Sequence, residues 1–487
     1  MNFSIIKRTL GWILVFEAIF FLVPLIASVV YWEEEFFTFL FTILLCASVG
    51  GLCLLGKPKN KDIYAKEGFV IVALGWIVMS LFGALPFVLS GAIPSFVDAL
   101  FETVSGFTTT GASILSGEEI DGMARSLILW RSFTHWVGGM GVLVLMMAFL
   151  PLSGARNMHI MNAESPGPTV SKLVPKMRQT ALILYSIYFV MTLVQLIMLL
   201  CGGMPLFEAL NTAFAVAGTG GFASSSSGMA GYNSYLQIVV TVFMLLFSIN
   251  FNSYYLLLRG KVKDAFNAEV KTFLIIVAVA IGAITLNLCF TQIDSFSSVG
   301  EALKHAAFSV SSVISTTGFA TVDFAQWPLF SRAILILLMF IGACAGSTGG
   351  GMKVSRWIVL GKGAGHEIKR MIHPKQVKKI SVDGKVVEHE VVRSINSYLV
   401  AYIFIFVVSL FIISLDPVLT GDFESAFSSV ATTLNNVGPG TGKIAGPMGN
   451  FGDYSIVSKI VFTLDMLIGR LEIFPMLILF APSTWIK

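Results

Sequence analysis

Long apolar runs separated by short polar segments make up most of this 487-residue chain. The runs are long enough to cross a membrane, for which a helix needs about 20 residues. They cover residues 10–32, 36–56, 69–91, 126–151, 179–202, 235–258, 272–290, 329–360, 397–415 and 455–481. The runs 329–360 and 455–481 are long and carry polar or glycine-rich interruptions. The pattern predicts an all-α polytopic membrane protein.

Shorter amphipathic segments lie between pairs of these runs and cannot span a bilayer. Apolar residues recur in them at helical spacing, as at Phe207, Leu210 and Phe214. Each segment predicts a half-helix that enters the membrane and ends within it. The predicted half-helices are Ser95–Phe107, Leu206–Ala217, Val299–Ser315 and Asp422–Thr433, and three are predicted to begin with a Phe-Glu pair: Phe101-Glu102, Phe207-Glu208 and Phe423-Glu424.

Each half-helix is followed by a segment of glycine with threonine or asparagine, and we call these segments the four glycine turns. Non-helical backbone at membrane depth is tolerated only where protein buries it or water reaches it. Four such turns around one axis predict a pseudo-four-fold pore. Pairing Thr-Gly-Gly-Phe with Thr-Thr-Gly-Phe favours Gly221 over Gly220 as the pore glycine of the second turn, but the sequence leaves this open. The predicted filter residues are Thr109, Thr110 and Gly111; Thr219, Gly220 and Gly221; Thr316, Thr317 and Gly318; and Asn435, Asn436, Val437 and Gly438.

The composition of the turns favours a monovalent cation. Rings of backbone carbonyls hold dehydrated K⁺, whereas rings of acidic side chains are used by other cation channels. Glycine allows the backbone conformations that such a ring needs, and none of the turns contains a carboxylate. The alternative is four buried loops with packing glycines, which does not explain why the same pattern recurs in register.

Hydrophobic residues make up 55% of the chain and charged residues only 12%, against about 25% charged residues in soluble proteins. Most of the 32 Lys and Arg fall on one side of the membrane if the ten runs alternate. The positive-inside rule then predicts that both termini are cytoplasmic. The net charge of +4 reflects this topology, and we expect no nucleic-acid binding.

The turns divide the chain into a two-helix N-terminal membrane hairpin and four membrane–pore-helix–membrane repeats. We do not expect an enzyme or an organic cofactor. The five cysteines lie in apolar runs, and the six histidines show no metal-ligand spacing. The predicted boundaries are 1–65 for the hairpin and 66–155, 156–262, 263–393 and 394–487 for the repeats.

Residues 342–353, which we call the glycine-rich loop, interrupt the second apolar run of the third repeat. Each glycine costs a helix interior about 1 kcal/mol relative to alanine, so this segment predicts a break in the helix. It is either a packing kink or a flexible gate below the filter. The predicted gate residues are Gly346, Ser347, Thr348, Gly349, Gly350 and Gly351.

Arg470 is a charged residue within the last apolar run. An intramembrane charge usually faces a cavity, although an arginine can also extend its side chain to the membrane surface. We include Arg470 with the predicted gate. Arg131, His135 and Asn250 are other polar residues in apolar runs, and we expect them to form contacts between helices.

The segment 353–393 is basic, and its residues alternate in polarity around Asp383-Gly384, which predicts a β-hairpin. Because this segment directly follows the glycine-rich loop, it can transmit the motion of a cytosolic partner. It can equally bind anionic lipid headgroups.

These features together make the chain similar to the bacterial TrkH/KtrB superfamily of potassium transporters. The resemblance covers the whole chain and rests on the four repeats, the glycine of each turn, the run Asn435–Gly440 and the glycine-rich loop. The extra N-terminal helix pair resembles the TrkH branch.

The resemblance implies uptake of K⁺, with Rb⁺ as its analogue, by a homodimer in the bacterial inner membrane. It implies a pore in each protomer and a cytosolic TrkA-type nucleotide-binding ring as regulator. It also implies that the third-repeat loop is the gate and that Arg470 projects into the pore. In related plant transporters a serine at the position of Gly111 accompanies Na⁺ transport, so the glycine supports K⁺.

Two alternatives stay open at this stage. One is K⁺ uptake coupled to H⁺ or Na⁺ rather than passive conduction. The other is a secondary transporter of a small organic solute, since such proteins also use repeats and broken helices. Their repeats are commonly inverted, whereas the four repeats here run in the same direction.

Overall fold

The computed structural model describes residues 1–55, 64–141, 177–291, 296, 298–374 and 379–485. These residues are largely helical, and six of their helices are long and apolar enough to cross a membrane, or seven if a bent pair counts as one span. The prediction of an all-α polytopic membrane protein is confirmed. The six are Phe3–Tyr31, Glu35–Leu54, Ala65–Leu89, Gln179–Cys201, Ala268–Phe290 and His389–Ile413.

The N-terminal hairpin consists of a bent helix, Phe3–Phe20 and Leu22–Tyr31, packed against Glu35–Leu54. A Cβ built at Gly11 or Gly50 would lie 2.9 Å from the carbonyl oxygen of the other glycine. Small residues therefore let the two backbones approach closely, as is usual between membrane helices.

The first helix of each repeat is long and apolar. These helices are Ala65–Gly83 continued by Leu85–Leu89, then Met177–Cys201, Ala268–Phe290 and His389–Ile413. The predicted half-helices follow them, and each bound lies within one residue of its prediction. They are Phe96–Phe107, Leu206–Gly218, Val299–Ile314 and Phe423–Leu434.

One detail of the half-helices was predicted wrongly. The Phe101-Glu102 pair does not begin the first half-helix but lies within it, because Ser95 caps the helix by accepting a hydrogen bond from the N–H of Asp98. Glu102 is therefore placed deeper than Glu208 and Glu424, which lie in the first turns of their helices.

The second helices of repeats two to four are broken. The continuous span predicted at 235–258 is wrong, since its two helices meet at 90°. At this bend the N–H of Phe251 donates to the carbonyl oxygen of Gly346, at 3.0 Å. The glycine-rich loop thus supplies a hydrogen-bond partner for a backbone N–H that the break leaves without one inside the helix. The helices are Ser234–Phe247 with Phe251–Leu258, Leu329–Ile341 with Val354–Ile372, and Ile456–Arg470 with Phe474–Phe480.

In the first repeat the second helix is described as Arg125–Gly139. The remainder of its predicted span lies outside the described residues. Two segments rich in Lys and Arg, 57–66 and 156–178, also lie partly outside them. The predicted hairpin is present as the antiparallel strands Ser381–Val382 and Lys385–Val386. Short helical elements complete the described chain: Gly117–Gly122, Val262–Ala265, Phe324–Gln326, Pro417–Leu419 and Pro482–Trp485.

Candidate functional site

The half-helices end in the same backbone arrangement in all four repeats. A left-handed residue, with φ between 55° and 60°, stands one or two positions beyond the last helical residue. The next N–H returns to a carbonyl oxygen five residues earlier at 2.8 to 2.9 Å. This is the Schellman motif, in which glycine normally takes the left-handed position. The left-handed residues here are Thr109, Thr219, Thr316 and Asn436.

The four turns contact one another in a closed ring. Two residues beyond each left-handed position stands a glycine with φ between 75° and 103°. A Cβ built on any of these glycines would clash with a backbone carbonyl oxygen of the next turn. The close approach therefore requires glycine in each turn. The pairs are Gly111 with Gly220, Gly221 with Thr317, Gly318 with Val437, and Gly438 with Thr110.

This geometry identifies the equivalent glycine of the second turn. Gly221 has a positive φ of 75° and occupies the same place as Gly111, Gly318 and Gly438. Gly220 instead supplies the carbonyl oxygen that faces Gly111. Gly221 is therefore the structural counterpart of the glycines in the other three turns.

A cavity of about 210 Å³ lies against the ring, and all four of these glycines line it. The segments that follow the turns form much of its remaining wall, for example Ser113, Ala223 and Ala320. Arg131 is the one charged residue among the described residues that line it. The cavity thus meets the ring at its approximate axis and is mostly neutral.

Side chains of the turns are hydrogen-bonded within and between repeats. The hydroxyls of Thr108 and Thr110 lie 2.8 Å apart, and the amide of Asn436 donates to the Thr110 hydroxyl at 2.9 Å. The hydroxyl of Tyr402 donates to Asn435 at 3.0 Å. As expected from their polar side chains, these residues brace the loops.

An ion pair lies behind the first turn. Arg131 and Glu102 are 2.7 Å apart, and their side chains are 1% and 0% exposed. Glu102 also accepts the N–H of Ile114 at 3.0 Å, while Arg131 donates to the carbonyl oxygen of Ala223 at 3.3 Å. The pair therefore connects the segments that leave the first and second turns.

His135 contacts two other segments, whereas the side-chain hydrogen bond of Asn250 is local. His135 Nδ1 lies 2.7 Å from the carbonyl oxygen of Gly106, and its Nε2 accepts the N–H of Phe222 at 3.3 Å. Nδ1 is thus the protonated nitrogen. Asn250 lies at the bend in the second repeat, where its side chain caps the N–H of Asn252.

The glycine-rich loop reaches the ring from the third repeat. The N–H of Gly350 donates to the hydroxyl of Thr316 at 2.6 Å, and the N–H of Gly351 donates to the carbonyl oxygen of Asn435 at 2.9 Å. A Cβ at Gly350 would clash with that same carbonyl. The loop is thus packed directly against the third and fourth turns.

Arg470 connects this loop with the first repeat. Its guanidinium donates to the carbonyl oxygen of Thr348 at 2.8 Å and to those of Gly138 and Gly139 at 2.7 Å. These carbonyl contacts do not fit the alternative of an arginine that only extends to the membrane surface. The predicted gate residues Thr348 and Arg470 are therefore in direct contact.

Other charged residues around the loop were not predicted from the sequence. Lys353 donates to the carbonyl oxygen of Gly349, and Arg356 pairs with Glu472. Glu269 accepts backbone N–H groups from residues before and after the predicted gate residues 346–351. Their position beside apolar runs is the only signal that the sequence offers, because the partners are distant along the chain.

The rim of the cavity carries an ionised carboxylate. Asp121 accepts the N–H of Ser226 at 2.9 Å and its hydroxyl at 2.5 Å. These hydrogen bonds lower the pKa of Asp121 below its ordinary value. Since Ser226 lines the cavity, this places a negative charge beside the mouth of the cavity.

Among the described residues, no cluster of His, Cys, Asp and Glu fits a metal site.

Comparison with known proteins shows which family has this architecture. The Trk system potassium uptake protein TrkH of Vibrio parahaemolyticus is 35% identical, and that of Escherichia coli K12 is 34% identical, each aligned over 100% of both chains. The crystal structure of the potassium transporter TrkH from V. parahaemolyticus has a TM-score of 0.88 at 32% identity, covering 100% of both chains. Residues 35–486 match the TrkH model, described as a cation transport protein. The chain therefore belongs to the TrkH family, whose members are transporters and not enzymes.

Proposed function

We propose that this chain takes up K⁺ through a selective pore at the centre of the four glycine turns. The observation that carries the proposal is the closed ring, in which each turn contributes one glycine to a common cavity. Membership of a cation transport family supports it, as do relatives named for potassium uptake.

Selectivity for K⁺ over Na⁺ follows from the chemistry of the ring. In this proposal the carbonyl oxygens of the turns replace the water around the ion, and Rb⁺ is accepted for the same reason. The one charged residue among the described cavity lining, Arg131, is neutralised by Glu102. A divalent ion gains little from such a neutral wall.

The glycine-rich loop and Arg470 form the gate in this proposal. The N–H groups of Gly350 and Gly351 are hydrogen-bonded to the third and fourth turns, so the loop obstructs the ion path on one side of the ring. Arg470 adds a positive charge that raises the barrier to cations. Opening requires the loop to withdraw from the turns.

The assembly is proposed to be a homodimer in the bacterial inner membrane, surrounded by lipid, with both termini cytoplasmic. A cytosolic TrkA-type nucleotide-binding ring controls the gate through the basic segment 353–393. The first part of this segment is the helix Val354–Ile372, which directly follows the glycine-rich loop.

A second possibility is uptake coupled to H⁺ or Na⁺. Buried carboxyls favour it, because intramembrane acids often belong to proton pathways. Glu17 is 0% exposed, and neither of its oxygens has a hydrogen-bond partner among the described residues; Asp465 Oδ2 is in the same situation.

Flux through purified protein in proteoliposomes separates these functions. Uptake should be faster for K⁺ and Rb⁺ than for Na⁺ and Li⁺, and it should follow the K⁺ gradient alone. Equal rates for all four ions would contradict the selective pore. K⁺ accumulation driven by an imposed pH or Na⁺ gradient, at zero membrane potential, would favour coupling.

A further inference from the structure

A single carboxylate accepts N–H groups from both sides of the predicted gate residues 346–351. The N–H of Ala345 donates to Glu269 Oε1 at 2.7 Å, and the N–H of Ser355 donates to the same oxygen at 3.1 Å. Glu269 is 9% exposed. Arg470 contacts the loop at Thr348, so Glu269 provides a separate anchor on either side of the predicted gate residues.

The residue before Glu269 is held by the cytoplasmic hairpin. The N–H of Ala268 donates to Asp383 Oδ1 at 2.9 Å. Ala268 is the first residue of the helix Ala268–Phe290, whose N–H groups lack partners within the helix and favour a negative charge. Asp383 therefore adds a second cap to this helix from another part of the chain, beside the N-cap Asn267, which accepts the N–H of Val270.

The hairpin is placed to receive a force from the cytosol. Asp383 and Gly384 form its turn, with φ of 49° and 75°, and both are exposed. The hairpin is also attached to the helix after the glycine-rich loop, since Lys362 Nζ donates to the carbonyl oxygen of Ser381 at 2.7 Å. A movement of the hairpin thus acts on both elements that flank the loop.

We propose that the hairpin 381–386 controls the glycine-rich loop through the first turn of the helix Ala268–Phe290, with Glu269 as the positioning residue. This rests on the proposed role of the loop as a gate. A pull on Asp383 displaces Ala268 and with it Glu269. Loss of the two hydrogen bonds that Glu269 accepts then frees Ala345 and Ser355, so that the loop can withdraw from the ring.

Matched variants separate the hydrogen bonds from charge and from turn geometry. Glu269→Ala removes the acceptor, whereas Glu269→Gln keeps an oxygen that accepts both N–H groups. Asp383→Gly removes the cap but keeps the left-handed turn, whereas Asp383→Asn keeps both the turn and an acceptor. We expect severalfold higher resting K⁺ flux in proteoliposomes for Glu269→Ala, a smaller rise for Asp383→Gly, and nearly unchanged flux for the two conservative variants.

A second readout is independent of ion transport. Cys344 lies in the glycine-rich loop and is 0% exposed, so its labelling by a small maleimide, followed by mass spectrometry, reports release of the loop. Labelling should rise severalfold in Glu269→Ala and Asp383→Gly, and the double variant should not exceed Glu269→Ala. A well-folded Glu269→Ala protein labelled like the wild type, or a Glu269→Gln protein labelled like Glu269→Ala, would overturn the inference. Additive labelling in the double variant would also overturn it. Absence of K⁺ flux in the wild type would instead reject the proposed function.

Discussion

Arg470 donates to the carbonyl oxygen of Thr348 at 2.8 Å and so joins the last helix of the fourth repeat to the glycine-rich loop of the third. The same guanidinium reaches Gly138 and Gly139 of the first repeat. One side chain therefore holds three repeats together next to the glycine turns and brings a positive charge to the proposed path.

Replacing this arginine should speed K⁺ flux. Arg470→Ala removes both the charge and the hydrogen bonds, so resting flux in proteoliposomes should rise severalfold. Arg470→Gln removes the charge but keeps an amide donor, and it should lie between the wild type and Arg470→Ala. Unchanged or slower flux in the folded Arg470→Ala protein would argue against a barrier at this position.

Shortening the glycine-rich loop should remove the obstruction. With Gly346–Gly351 deleted, the bonds from Gly350 and Gly351 to the third and fourth turns are lost. We expect higher resting flux that no longer responds to a cytosolic partner or its nucleotide. Low flux that still responds in a well-folded deletion variant would place the gate elsewhere.

The ion pair behind the first turn should be important for stability. Arg131→Gln leaves the buried Glu102 without its partner, and removing one member of a buried pair costs about 3–5 kcal/mol. Thermal unfolding in detergent should show a clear loss of stability, and the double variant Glu102→Gln/Arg131→Gln should recover part of it. A single variant as stable as the wild type would show that the pair does not brace the turns.

The carboxylate at the rim should attract cations at low salt. Asp121→Asn keeps a hydrogen-bond acceptor for Ser226 but removes the charge, so flux at millimolar K⁺ should fall by about twofold and recover at high salt because of screening. Hydrogen bonds depress the pKa of Asp121, so the wild-type charge persists at neutral pH and is lost only as the pH falls through that lowered pKa. An equal loss at low and high salt would point to a structural effect instead.

Much of the proposed pore was predictable because its signals are local. Each half-helix has a helical apolar pattern, and each turn places a glycine two residues after a threonine or asparagine, as at Thr316 and Gly318. The predicted bounds of the half-helices agree with the structure to within a residue. The sequence could not decide which of Gly220 and Gly221 is equivalent to the glycines of the other turns, because that equivalence depends on contacts between repeats.

The bends and the long-range contacts were not predictable from periodicity. Polar residues such as Asn250 interrupt the apolar run 235–258, but periodicity did not reveal the 90° bend, because the N–H of Phe251 finds its partner at Gly346 and not within its own helix. The roles of Glu102 and Glu269 likewise depend on partners far along the chain. The second helices of the second and fourth repeats are also broken, but in the third repeat the break is the longer glycine-rich loop.

The glycine ring is tested most directly by comparing K⁺ and Na⁺ flux in Gly318→Ser and Gly111→Ser with that of the wild type. A serine at either position strains the backbone and clashes with the next turn. Gly203→Ser is the matched control, because Gly203 has a φ of 84° but no neighbour within 4 Å of an added Cβ. We predict a lower K⁺/Na⁺ flux ratio in both ring variants and an unchanged ratio in the control. A wild-type ratio in both folded ring variants would contradict it.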